Sequence, residues 1–153
     1  MSGLIKWAHP TWNFLHTFAS KINKDFFESN IPQCLSIIIN ICTCLPCKEC
    51  TKHASNFMRG VNTRNIKTKD DLKSMLFFFH NSVNQRTQKQ RRAKVILDQY
   101  ENKQFPQVVN LFIQAYGARY GSIVPGNISN LGKRKAIGHN TVKWIRQHCQ
   151  YFG

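Results

Sequence analysis

A chain of 153 residues is long enough to bury one real core, and a content of 42% hydrophobic and 12% aromatic residues, with 11 Phe, excludes a disordered tail. Lys and Arg number 22 against 7 Asp and Glu, for a formal charge of +15. Such a field suits nucleic acid, an anionic cofactor, acidic partners or a virion interior equally, so it names no function. No run approaches the ~20 apolar residues of a membrane span, and residues 1–7 lack the apolar core and cleavage site of a secretory signal. The expectation is a soluble, intracellular, cytoplasmic protein.

Trp12, Leu15, His16, Ala19, Ile22 and Phe26 recur at three- and four-residue steps, which predicts an amphipathic helix over about residues 10–27. Glu28 to Pro32 breaks that pattern. Ser29 or Asn30 can cap, and Pro32 suits the first turn of a second helix ending near Cys44. A third helix is expected from Cys47 to about Arg59, with Gly60 as its stop, which puts Cys50, His53 and Phe57 on one face. Thr68 and Asp71 form a capping box for a fourth helix reaching Arg86; Leu72, Met75, Phe79 and Val83 make its apolar stripe, and His80 and Asn84 lie one turn apart. Residues 88–94 read as a cationic hinge, 95–100 as a short helix and 105–118 as a further helix. Residues 117–138, rich in Gly, Ser and Asn and carrying Lys133, Arg134 and Lys135, read as a mobile segment. A last helix is expected over about 139–150, with Trp144 and Cys149. The fold class is all-α.

Four of the six cysteines fall within residues 42–50. A Cys-x-x-Cys such as Cys47 and Cys50 at a helix start can open and close a short disulfide, because backbone N–H groups and the helix dipole favour the thiolate. Pro46 fits the entry turn. Cys42 and Cys44, at the end of an apolar run, read equally as small buried hydrophobes. Zinc on Cys42, Cys44, Cys47, Cys50 and His53 lacks the second, separated ligand pair that structural sites use, so no metal is expected. A static disulfide fits poorly with a reducing compartment, where disulfides tend to be catalytic or transient. Trp12 and His16 read, on spacing alone, as a core tryptophan beside a satisfied histidine.

Three stretches taken in order change the weight of these readings: W-x-x-L-H-T at residues 12–17, P-C-x-E-C-x-x-H at 46–53 and H-N-x-V-N at 80–84. Over about residues 7–100 the chain resembles the Erv/ALR family of FAD-linked sulfhydryl oxidases. The resemblance implies a four-helix bundle with a short fifth helix, FAD at its mouth, and a homodimer. It implies an FAD-binding bundle over 1–104; residues 105–153, outside the resemblance, read as a helical C-terminal extension of unknown role. It makes Cys47 the outer cysteine that exchanges with substrate and Cys50 the inner one beside the flavin. Trp12, His16, Glu49 and His53, then His80, Asn81, Val83 and Asn84, become the cofactor-binding set, with Arg86 and Lys89 near the FAD phosphates. The implied reaction takes electrons from a thiol-containing protein substrate through the cysteine pair and FAD to O2, giving H2O2. Departures are plain: Ala8 and His9 stand for the family's Gly-Arg, Met75 and Phe77 for a Trp and a Cys, so its second disulfide is absent. No arm with a shuttle cysteine pair precedes the bundle. In lacking that arm the chain is similar to short forms from large DNA viruses, served by a small dithiol shuttle protein, which adds a viral factory or virion to the expected locations. Two other classes compete: a basic nucleic-acid-binding protein, with nucleic acid otherwise a secondary partner, and a zinc-stabilised interaction module.

Overall fold

The computed structural model describes residues 4–120 and 130–153, and the chain within them is helical, with no strand. Helix α1 runs Leu4–Lys21, not from Pro10 to Phe27 as the periodicity predicted. Pro10 lies inside it; a proline gives up one helical hydrogen bond, and the turns on either side carry the helix past it. The chain breaks at Asn23, whose side chain accepts the Phe26 N–H at 2.9 Å and starts a separate short helix, α2, Lys24–Ser29. The four-residue step from Ile22 to Phe26 survives the break, which is why spacing alone did not reveal it.

Helix α3 spans Ile31–Cys42, with Asn30 at its N-cap position and Pro32 in its first turn. The Asn30 amide donates back to the Phe26 carbonyl rather than capping α3. Helix α4 is Lys48–Gly60 and α5 is Lys69–Arg86, the latter begun by the full Thr68–Asp71 capping box. The expected short helix after the hinge is a 3-10 helix, Lys94–Asn102. Helix α6 is Phe105–Tyr116, and α7 is Leu131–Gln147, followed by a 3-10 turn at Cys149–Tyr151.

The start of α7 corrects the reading of 117–138 as mobile. Residues 131–138 are helical, and Arg134 is wholly buried. Here α7 meets α6: a Cβ on Gly138 would stand 3.4 Å from Ile113 Cδ1, an ordinary van der Waals contact. The rest of that expectation, residues 121–129, lies outside the described residues.

Helix α1 is the axis of the core. Phe14, Leu15, Phe18, Ala19 and Ile22 are all essentially inaccessible, and fully burying each large side chain stabilises the fold by roughly 1.5–3 kcal/mol. Helix α6 lies along α1, with Phe14 stacked on Phe112 at 4.3 Å between centroids. On another side α5 packs through Phe79, 5.0 Å from Trp12 and 5.0 Å from Phe57 of α4. The C-terminal residues return to the same core, Phe152 lying 4.6 Å from Phe105 and 5.1 Å from Phe18. Phe105, Val108, Val109, Phe112, Ile145 and Phe152 thus join the bundle's own core, while Leu111 stays exposed. No helix among the described residues is long and apolar enough to cross a membrane.

Candidate redox and cofactor site

Helix α4 begins with its cysteine. Cys47 occupies the N-cap position of α4, and its Sγ accepts the Cys50 N–H at 3.2 Å. Cys47 and Cys50 form a disulfide with their Cα atoms 5.1 Å apart. Thr51 fixes the entry: its hydroxyl accepts the Leu45 N–H at 2.9 Å and donates toward the Cys47 carbonyl at 3.0 Å. Both sulfurs belong to half-buried residues, while Lys48 and Glu49 between them are exposed. From α5, the Arg86 guanidinium reaches to 3.6 Å from Cys50 Sγ.

The neighbouring cysteines are different in kind. Cys34, Cys42 and Cys44 are buried and free, and burial pushes the thiols of Cys34 and Cys42 up to about 12 and raises that of Cys44. At neutral pH they are thiols, not thiolates, and poor nucleophiles. Among the described residues no group of three or more His, Cys, Asp and Glu is placed to hold a metal ion.

A cluster of flat rings lies where α1 meets α5. Trp12 and His80 stack with centroids 3.8 Å apart and planes 4° from parallel. His16 Nε2 and His80 Nδ1 share a hydrogen bond of 2.9 Å, and Tyr100 stacks on His16 at 4.9 Å. Burial, then the charge of His80, lowers the His16 pKa to about 3. Burial, then Lys89, Arg92 and His9, lowers that of His80 to about 4. Both rings are therefore neutral at pH 7, one donating and the other accepting.

The remaining expected residues lie on α4, on α5 and in the turn after α5. His53, one turn after Cys50, hydrogen-bonds Ser82 Oγ at 3.1 Å, and burial followed by the Arg86 charge lowers its pKa. Asn81 pins the basic segment: its amide donates to the Arg92 carbonyl at 3.0 Å and accepts the Arg92 N–H at 2.9 Å. Asn84 is 7% exposed, and its carbonyl accepts the Lys89 N–H at 2.7 Å. The turn so closed holds Gln88 at φ 59°, in the left-handed region. Val83 packs on the core from a half-buried position. Glu49 stands apart, exposed and with no hydrogen bond or ion pair among the described residues.

Spacing missed four contributors. Tyr100 and Ser82 touch His16 and His53 directly, and Arg92 and His9 bear on His80. Arg92 sat in the run read as a cationic hinge; nothing in a single tyrosine on a short helix signals a ring stacked on His16.

The set fits a flavin nucleotide. Desolvated aromatic and imidazole rings give a planar apolar wall, and exposed Arg86, Lys89, Arg91 and Arg92 give positive charge. Among the described residues the single ion pair, Lys24 with Glu28, is elsewhere, so these cations have no carboxylate of their own and suit a diphosphate.

A family model described as Erv1 / Alr matches residues 9–116, more than half of the sequence. The chain belongs to the Erv1/Alr family. The match takes in α6, which the motif-based resemblance, ending near residue 100, had left outside. Similar curated proteins are viral. A probable FAD-linked sulfhydryl oxidase of fowlpox virus (strain NVSL) is 30% identical over 73 residues, 48% of this chain and 69% of that protein. An FAD-linked sulfhydryl oxidase of African swine fever virus (isolate Warthog/Namibia/Wart80/1980) is 28% identical over 92 residues, 56% and 71%. A putative FAD-linked sulfhydryl oxidase of invertebrate iridescent virus 3 is 31% identical over 96 residues, 61% and 65%. No solved structure matches.

Proposed function

We propose that this Erv1/Alr protein is an FAD-dependent sulfhydryl oxidase that forms disulfides in thiol substrates and passes the electrons to O2, giving H2O2. The observation that carries it is the exchangeable Cys47–Cys50 disulfide at the head of α4, with a cation at Cys50 and with the ring cluster on the same helix α5 that supplies that cation. Bound FAD supplies a two-electron acceptor that reoxidises in O2; the protein supplies geometry and electrostatics.

A substrate thiolate attacks Cys47 Sγ, the Cys47–Cys50 bond breaks, and Cys50 leaves as a thiolate facing the Arg86 guanidinium. A second substrate thiolate attacks the substrate sulfur of the mixed disulfide and releases Cys47 as thiolate. Substrate has then lost two electrons and two protons, and the pair has gained the electrons. The N-cap position of Cys47 and the cation at Cys50 favour the thiolates at each stage. His16, His53, His80, Trp12, Asn81, Val83 and Asn84 would hold the flavin nucleotide, with Lys89 at its phosphates; Glu49 belongs to this set by its motif.

A protein bearing reduced cysteines as substrate, a small dithiol protein as carrier, a homodimer, and work in the cytoplasm, viral factory or virion complete the proposal. The domain division at residue 104 belongs to it as well. The purified protein should be yellow with a flavin absorbance band and should consume O2 with a small dithiol. A colourless protein that releases zinc to a chelator would refute the reading in favour of an interaction module.

A further inference from the structure

Two backbone carbonyls lead into the disulfide, those of Cys44 and Leu45, and both are held from the C-terminal third of the chain. Tyr116, at the end of α6, donates its phenol O–H to the Cys44 carbonyl at 2.5 Å in a buried contact. Asn130, at the N-cap position of α7, donates its amide to the Leu45 carbonyl at 2.7 Å. Arg134 locks the two donors together: its Nε donates to Asn130 Oδ1 at 2.9 Å, and its Nη1 to the carbonyls of Tyr116 at 2.6 Å and Ala118 at 2.8 Å.

Arg134 is 0% exposed, its Nη2 has no partner among the described residues, and the sequence after Glu101 contains no Asp or Glu. Among the described residues no carboxylate pairs with it; a guanidinium buried in this way is weak evidence for stability, and fixing one conformation is a use proposed for such groups. The conformation fixed here is that of the segment entering Pro46 and Cys47, with Thr51 of α4 gripping Leu45 from the opposite side.

We propose that Asn130 and Arg134 are positioning residues for the Cys47–Cys50 disulfide: with Tyr116 they clamp the Cys44–Leu45 backbone and so hold Cys47 at the head of α4 within bonding reach of Cys50. Asn130 and Arg134 lie beyond residue 116, where the family match ends, so two of the clamp's three members stand outside the matched region. The inference rests on the reading of Cys47–Cys50 as the exchanging disulfide. A dithiol closes more readily when the scaffold keeps its sulfurs together. Loosening the clamp lowers their effective concentration and shifts the exchange, protein disulfide plus two glutathione thiols to protein dithiol plus glutathione disulfide, toward the dithiol.

Asn130→Asp separates this role from packing. It keeps the size of the side chain and an oxygen for the Arg134 Nε–H, adds a carboxylate beside the buried guanidinium, and presents oxygen where the Leu45 carbonyl needs a donor. Tyr116→Phe removes the second donor at the cost of a single oxygen and carries the same test should Asn130→Asp not fold. Full-length parent and variants are equilibrated anaerobically in glutathione buffers of fixed ratios, the Cys47 and Cys50 peptides are quantified after alkylation, and thermal melting is recorded. Asn130→Asp should melt at or above the parent while its exchange constant moves toward the dithiol by about three- to tenfold, tenfold being 29.6 mV. Parental exchange constants in both variants overturn the proposal, as does a change that appears only where melting falls in step. The readout uses no oxygen. A parent that exchanges reversibly but consumes no O2 therefore refutes the oxidase reading while leaving the clamp tested.

Discussion

Arg86→Gln isolates the charge at the inner cysteine. The guanidinium stands 3.6 Å from Cys50 Sγ, and two unit charges at that separation attract by about 1.2 kcal/mol even at the dielectric of bulk water. Arg86 is exposed, so this screened value is the appropriate one, not the several-fold larger figure of a dry interior. At 1.36 kcal/mol per pH unit, the Cys50 thiol should titrate about 0.8 units higher once the charge is removed. The assay uses a Cys47→Ser background, in which Cys50 is a free thiol, and follows the pH dependence of its alkylation by peptide mass, so that Cys149 does not interfere. Arg86→Lys in the same background should restore most of the effect, since a point charge suffices. A midpoint unchanged by Arg86→Gln, or displaced equally by Arg86→Lys, would show that the guanidinium does not stabilise the thiolate.

Replacing either redox cysteine by serine should abolish dithiol turnover, with a long-wavelength absorbance band in Cys47→Ser and none in Cys50→Ser; the reverse pattern exchanges the inner and outer assignments. Phe112→Ala, which empties the α1–α6 contact at a wholly buried position, should cost about 3–5 kcal/mol in denaturant unfolding. A loss under about 1 kcal/mol would mean that α6 is peripheral to the core. His16 and His80 have pKa values lowered from 6.5 to about 3 and about 4, so the unfolded chain binds more protons in the window between. Their contribution is fully present above pH 6.5 and is lost as pH falls toward 4, by at most about 1.4 kcal/mol per pH unit for each ring. Melting between pH 7.5 and 4.5 should show that fall, and His16→Asn should flatten it. Cys149→Ala should turn over both small dithiols and reduced proteins like the parent; a loss confined to protein substrates would make the exposed Cys149 a shuttle thiol.

Local chemistry made the middle of the chain readable. The Thr68–Asp71 box and the Pro46–Cys47 entry are decided by residues within one turn of each other, and α4 and α5 begin where those residues predict. The head of α7 is decided at long range. Lys133, Arg134 and Lys135 look alike in sequence, yet Arg134 alone turns inward, because the carbonyls of Tyr116 and Ala118 await it there. The site divides in the same way. His16 and His80 were each visible as members of a motif, but their shared hydrogen bond, and the Tyr100 ring against His16, depend on how α1, α5 and the 3-10 segment meet.

The burial of Cys42 and Cys44 has a consequence for a protein whose proposed product is H2O2. Within nine residues the chain carries four sulfurs, two half-buried in the Cys47–Cys50 disulfide and two sealed to 1% and 3% exposure. Peroxide and disulfides both react through thiolates, and a thiol held near 12 presents almost none. Shielding by protonation thus sorts neighbouring sulfurs into expendable and safe without any intervening distance, and it guards against wrong pairing at each cycle. A membrane-permeant oxidant applied to the folded protein would find Cys149 first and the interior thiols only after unfolding.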